Sequence, residues 1–300
     1  MEAWGIQRVG ISAVKASILH PGEALIVPVL YVVATPIGNL EDVTLRAIRV
    51  LKEVGLIAAE DTRRTRLLLD HYGIQTPMTS YYEHNKTAKL AYLLRMVEQK
   101  DMALVSEAGM PGISDPGYEL VAAAARQGIP VVAIPGPSAI VSAVAVSGLP
   151  ADQFVYLGFL PRRKAERVRL LEEVARETRP LVAFEAPHRL AAALEDVLAV
   201  LGDRRMAAAR ELTKLHEEVF RGTVSAAREH FREPRGEFTL VIEGCAPAEP
   251  GEITADIEDE IRALQEKRVP AKEGVSLLSL STGLPRKALY RAWLALQRDR

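Results

Sequence analysis

The sequence predicts an α/β protein with a mostly parallel sheet in its first half and a mixed sheet in its second, and three observations carry that expectation. Between Tyr31 and Ser147, short apolar runs alternate with helix-like stretches, the pattern of a parallel sheet covered on both faces. Three of these runs end in loops rich in Pro, Gly and small residues: 35–39, 106–117 and 135–139. Beyond Gly148-Leu149-Pro150-Ala151-Asp152 the later strand-like runs follow one another with little helix between them, which suggests an antiparallel portion.

The first strand is expected over residues 29–34, stopped by Thr35-Pro36-Ile37-Gly38-Asn39. A helix follows, with Asp42 as N-cap, Val43, Ala47, Val50, Leu51 and Val54 at helical spacing, and Gly55 as a left-handed C-terminal residue. Residues 56–59 read as the second strand, with Glu60 and Asp61 at its carboxyl end, where ligands gather in open parallel sheets. Strands at 78–82, 103–106 and 130–134 then alternate with helices at 86–99, 117–126 and from Ser138 onward. The domain boundary is placed at the Gly148 turn, giving domains 29–148 and 149–244. The second has strands at 154–157, 180–184, 206–210, 219–223 and 237–242, and helices at 164–177 and 188–201. A linker at 245–252 leads to a helical segment, 253–300, with helices at 253–267, 271–281 and 286–296. Its Thr282-Gly283-Leu284-Pro285 turn gives it a helix-turn-helix-like pattern. Residues 1–28 read as a tail or the product of an upstream start codon, since they lack the pattern of a signal peptide.

Composition narrows the function classes. With 48% hydrophobic residues in 300, there is ample material for more than one core. A net charge of −1 argues against a chain that coats naked nucleic acid, while leaving local basic patches free to engage folded RNA. Cys245 is the only cysteine, so an internal disulfide or a cysteine-rich metal cluster is excluded and a cytoplasmic location is expected. The six histidines show no HExxH spacing, and no metal is expected. No stretch is long and apolar enough to span a membrane, and none is expected as a partner.

Small residues in the three loops let main-chain groups approach a ligand closely, which suits a nucleoside-type cofactor. There is neither a GxGxxG after the first strand nor a GxxxxGK[ST], so dinucleotide and P-loop phosphate binding lose their mechanical support. The motifs TPIGNLEDVTLRA, AEDTRRTRLLL, YYEHN, SEAGMPGISDPG, IPGPSA, SGLP, GFLPRR and FEAPHRL closely resemble the bacterial small-subunit rRNA cytidine 2′-O-methyltransferase family, within the tetrapyrrole-methylase superfamily. The match runs from about residue 29 to 244. It implies a two-domain tetrapyrrole-methylase-like (class III) methyltransferase fold that binds S-adenosylmethionine (SAM) in the interdomain cleft. It also implies 2′-O-methylation of a decoding-centre cytidine in 16S rRNA, on naked RNA or the assembled small subunit, by a homodimer.

The resemblance places Pro36 on the first cofactor loop, Ala108, Gly109, Met110 and Ile113 on the second, and Ser138 and Ala139 on the third, with Glu185 and Gly222 closing from the second domain. Glu107 and Met110 stand where the family pattern reads SDAGTP. Transfer to a ribose hydroxyl calls for a proton acceptor. Asp61 and Glu107, both at carboxyl ends of expected strands, lead the candidates, followed by Asp115, Glu83 and Glu185. Arg63, Arg64 and Arg66, with Arg162, Arg163 and Lys164, would meet phosphates at the cleft rim, and His84-Asn85 and His188-Arg189 would position base or sugar edges. The alternatives are a precorrin or uroporphyrinogen methylase, disfavoured by TPIGN in place of GxGPGD and by the DTRRT run, and a non-catalytic ribosome-assembly factor retaining the fold.

Overall fold

The structure, a computed structural model, describes residues 27–246 and 253–298. The tail expected at 1–28 and the linker expected at 245–252 lie almost wholly outside the described residues. Residues up to Gly244 form one compact unit and those from Cys245 a second.

The first sheet is wholly parallel, with strand order β3-β2-β4-β1-β5. Its strands are β1 (Leu30–Val33), β2 (Leu56–Ala59), β3 (Met78–Ser80), β4 (Met102–Val105) and β5 (Val131–Ile134). Strands β1, β2 and β4 are buried throughout, as their uninterrupted apolar runs require when helices cover both faces. Tyr31, Val33, Ile57 and Val105 pack on one face against α1 (Leu45–Glu53) and α2 (Thr62–His71). Leu30, Ala58, Met102 and Leu104 pack on the other against α3 (Lys86–Val97) and α4 (Tyr118–Arg126).

Two end assignments need correction. Thr44, rather than Asp42, caps α1 by accepting from the Ala47 amide at 3.1 Å, because Leu40–Asp42 winds into its own 3-10 turn capped by Asn39. Gly55 is not left-handed; the chain leaves α1 through an extended Val54, and the Gly55 amide donates to the Asp101 carbonyl.

The second sheet has the order β6-β7-β10-β8-β9. It comprises β6 (Val155–Phe159), β7 (Leu181–Glu185), β8 (Arg205–Arg210), β9 (Glu218–Thr223) and β10 (Phe238–Ile242). Only β6 and β7 run parallel; the remaining pairs are antiparallel, in line with the crowding of strands along the sequence. One face packs on α6 (Lys164–Glu173), α7 (Pro187–Leu201) and α8 (Val224–His230). The sequence reading lacks α8, a seven-residue helix with Thr223 as its cap. The other face receives α5 (Ala139–Ser147), whose Ile140, Ala143 and Val144 are buried against Val182, Ala207 and Val241. The helix that ends the first half is thus part of the core of the second.

The second compact unit contains α9 (Ala255–Glu266), α10 (Ala271–Thr282) and α11 (Arg286–Arg298) around Ile261, Val275, Leu278, Leu289 and Trp293. Gly274 is required by close packing, since a Cβ there would stand 2.4 Å from the Trp293 ring. No helix among the described residues is long and apolar enough to cross a membrane.

Candidate active site

Strand order explains why the three loops meet. Because β1 lies between β4 and β5, the turns leaving the carboxyl ends of these three strands are neighbours. The first two are stitched together: the Thr35 amide donates to the Gly109 carbonyl at 2.9 Å, and the Gly109 amide to the Thr35 carbonyl at 3.0 Å. Thr35 also donates through its hydroxyl to the Ser106 carbonyl. Gly109 has φ +78°, a region that costs an L side chain roughly 1–2 kcal/mol. In the third loop, Ser138 is the N-cap of α5 yet its side chain makes no cap bond, and it stands in the cavity wall.

These loops and the facing edge of the second sheet enclose a cavity of about 520 Å³, within the range of small-molecule sites. Its wall takes Ala108, Gly109, Met110 and Ile113 from the second loop, Ser138 and Ala139 from the third, and Glu185 from β7. Two residues assigned to the cofactor stand outside it. Pro36 lies between Thr35 and Ile37, and of these it is Ile37 that reaches the wall. Gly222 pairs with Met206 and sits under Phe220, on the sheet face opposite α5, where a Cβ would come within 2.7 Å of the Phe220 ring.

The wall is acidic. Glu60 accepts from the Glu107 amide at 3.1 Å, and its carboxyl is held above the usual range by burial, with the nearby Glu107 and Asp61 charges adding to the shift. Asp115 is pushed up to about 7, first by burial and then by the Glu60 charge. Glu107 reaches the cavity and ion-pairs with Arg64 at 2.5 Å. Asp61 serves a different purpose: it caps α2 by accepting from the Arg63 and Arg64 amides at 2.8 and 3.2 Å, and these bonds lower its pKa. It is absent from the cavity wall. Glu185 is fully buried and raised by burial, while accepting from the Ala186 amide and from Arg189. Ser114, in the cavity wall, shares a hydrogen bond with Tyr156 behind it, their hydroxyls 2.5 Å apart.

The expected RNA contacts fall into two groups. Arg63, Arg64, Arg66, Arg162, Arg163 and Lys164 are all exposed, and four of them are ion-paired: Arg63 with Asp61, Arg64 with Glu107, Arg163 with Glu166 and Lys164 with Asp196. His84 meets the edge of Tyr82, and Asn85 closes its own loop by accepting from the Tyr82 amide and donating to Ser80. His188 lines the cavity, and Arg189 is drawn inward to Glu185 and the Leu160 carbonyl. Sequence reasoning missed the aromatic pair Phe159 and Phe184, and Lys214 with its ion-pair partners Glu211 and Glu237, in the wall, because only the fold of the second sheet brings them to the loops. Among the described residues no cluster could hold a metal ion.

The family model for Tetrapyrrole (Corrin/Porphyrin) Methylases matches residues 29–228. Among solved structures, diphthine synthase aligns with a TM-score of 0.57 at 13% identity, covering 72% of this chain and 89% of that one. Uroporphyrin-III-C-methyltransferase from Thermus thermophilus aligns with a TM-score of 0.51 at 21% identity, covering 71% and 93%. At these identities the likeness concerns the fold. Sequence relatives lie nearer. The protein named Ribosomal RNA small subunit methyltransferase I from Synechocystis is 46% identical over 276 residues, covering 90% of this chain and 99% of its own length. The protein of the same name from Thermotoga maritima is 52% identical over 218 residues, covering 72% and 98%. The extent of these matches, together with two five-stranded sheets enclosing a loop-lined cavity, shows that the chain belongs to the ribosomal RNA small subunit methyltransferase I family of the tetrapyrrole methylases.

Proposed function

We propose that the protein transfers the methyl group of SAM to the ribose 2′-oxygen of a decoding-centre cytidine in 16S rRNA. The observation that carries this reading is the cavity itself: three adjacent loops at the carboxyl ends of β4, β1 and β5, faced by the second sheet and lined by small residues and carboxylates. The residues fit the donor. Close main-chain approach at Ala108 and Gly109 suits a nucleoside, and Glu60, Glu107 and Asp115 complement a cation.

When bound, SAM supplies an electrophilic methyl group on a sulfonium. This chain's residues then have three tasks. The loops hold the donor in line with the acceptor, so that orientation is fixed before the methyl passes. Asp115, half ionised near neutrality, accepts the proton released by the ribose hydroxyl. Glu60 and Glu107 hold negative charge beside it, and the exposed Arg162 and Arg163 meet flanking phosphates. The relatives' name, Ribosomal RNA small subunit methyltransferase I, supports the class of acceptor. We extend the reading to a homodimer, to be checked by sedimentation.

The test supplies methyl-labelled SAM with small subunits from a strain lacking the enzyme, with naked 16S rRNA and with uroporphyrinogen. Label is expected in the RNA, as a single 2′-O-methylcytidine located by mass mapping. Label in the porphyrinoid alone, or no SAM uptake by calorimetry with or without subunits, would overturn the proposal.

A further inference from the structure

Strand β6 carries an irregularity beside the cavity. Val155 and Tyr156 pair with Leu181 and Val182, but the next aligned residue, Phe159, pairs with Phe184, so one extra residue is accommodated between them. Gly158, with φ +72°, lies in this bulge. A bulge of this kind inverts the facing of every residue after it. In regular alternation Phe159 would follow Val155 and Leu157 onto the face that packs against α6 and α7. Instead it stands on the cavity face with Tyr156 and Phe184, and Leu160 takes the buried place on the other side.

Phe159 is 56% exposed although it lines the cavity. The ring is braced from below: the Phe184 ring lies 5.3 Å away, tilted by 58°, and the Tyr156 ring meets Phe184 edge-on at 5.5 Å. Tyr156 is in turn fixed by its bond to Ser114. Arg162 and Arg163 follow three and four residues later. That stretch is pinned through its main chain, since Arg167 donates to the Pro161 and Arg162 carbonyls and Arg189 to that of Leu160. An aromatic side chain left open to solvent in the wall of a donor cavity, braced by two further rings and followed three and four residues later by exposed arginines, matches what unstacked nucleotides require: a stacking surface for the base and cations for the adjoining phosphates.

We propose that Phe159 is the platform on which the target pyrimidine stacks when its nucleotide is drawn out of the RNA, so that the attached ribose is presented to the donor. This rests on the rRNA-methyltransferase reading above and goes beyond it by naming the surface that holds the base. Extraction costs unstacking energy, and a ring waiting at the cavity mouth returns part of it.

The test compares wild type with Phe159→Ala, Phe159→Leu and Phe159→Trp, using methyl-labelled SAM and small subunits, with SAM affinity measured separately by calorimetry without RNA. Because the ring is largely exposed, the variants retain the fold. Stacking of one base predicts a loss of kcat/KM for the RNA of about 5- to 150-fold in Phe159→Ala. Phe159→Leu should stay well below wild type despite its apolar bulk, Phe159→Trp should recover most activity, and SAM affinity should remain within about twofold throughout. Unchanged kcat/KM in Phe159→Ala, or full activity in Phe159→Leu, would overturn the platform alone. Weakened SAM binding in Phe159→Ala would overturn it by assigning the ring to the donor. Wild type that binds SAM but methylates no subunit would overturn the underlying reading instead.

Discussion

Replacing Asp196 by Ala should destabilise the first compact unit by about 3–5 kcal/mol, the usual consequence of stranding one member of a buried ion pair. The Arg167 and Asp196 side chains are 5% and 4% exposed. Arg167 donates to Asp196 Oδ2 through Nε at 2.8 Å and through Nη2 at 2.5 Å, and its remaining nitrogen, Nη1, reaches the Pro161 and Arg162 carbonyls at 3.0 and 3.4 Å. Removing the carboxylate deletes two charge-assisted bonds, each worth about 1.5–3 kcal/mol, which brackets the same total. The guanidinium is then left buried with main-chain oxygens only. A loss of that size is a large part of the roughly 5–15 kcal/mol by which most proteins are stable. The double change Arg167→Met with Asp196→Leu removes both charges together and should recover most of the loss, because desolvation no longer opposes folding. Urea unfolding followed by far-ultraviolet circular dichroism, with a double-mutant cycle over the four proteins, measures the coupling. A loss below about 1 kcal/mol in Asp196→Ala, or a double variant no more stable than the single ones, would refute the argument.

Further outcomes follow from other sites. With Asp115 as proton acceptor, kcat/KM should rise with pH and level off above about 7, where the carboxylate is ionised, and Asp115→Asn should lower kcat by about 10²–10⁴; a flat profile between pH 5.5 and 8 removes it from that role. The same group has its folded pKa raised above the ordinary 3.8, so the folded state holds the extra proton more tightly. Its contribution to stability is therefore complete below about pH 4 and is lost as pH rises through 7; Asp115→Asn should flatten that part of the stability curve in urea titrations at stepped pH. Arg163→Ala should reduce the slope of log affinity for small subunits against log salt by about 1 if the side chain meets one phosphate, as read by filter binding. Gly244→Ala would place a Cβ 2.0 Å from the Thr178 carbonyl oxygen, and should cost about 1–3 kcal/mol or more in a thermal melt, against no change if the chain yields freely.

The parallel sheet and its three loops were legible because both signals are local: apolar runs long enough for a strand, ended by residues that turn the chain. The end of β1 shows where locality fails. Asn39, Asp42 and Thr44 can all cap a helix, and the choice fell to Thr44 because the residues before it close a turn of their own. Asp61 shows a different ambiguity. A carboxylate at a strand end that also precedes a helix reads equally as chemistry or as a cap, and here two amide bonds claim it. Asp115 ranked behind it in sequence because its raised pKa arises from burial and from Glu60, which lies just past the end of β2. Gly222 and the β6 bulge lay beyond reach for a related reason. A residue's facing in a sheet depends on the pairing register, which one strand's sequence does not contain.

The packing of α5 on the second sheet has a bearing on how the enzyme could move. Ser138 and Ala139, at the start of that helix, form part of the cavity wall, while Ile140, Ala143 and Val144 are buried beneath β8 and β10. Arg221 of β9 further ties the helix end by donating to the Val146 carbonyl. A swing of the second sheet about the Gly148 turn would therefore haul two wall residues along with it and spoil the very recess it was meant to seal. Admission of donor and nucleotide is left to motions smaller than a swing of the whole sheet.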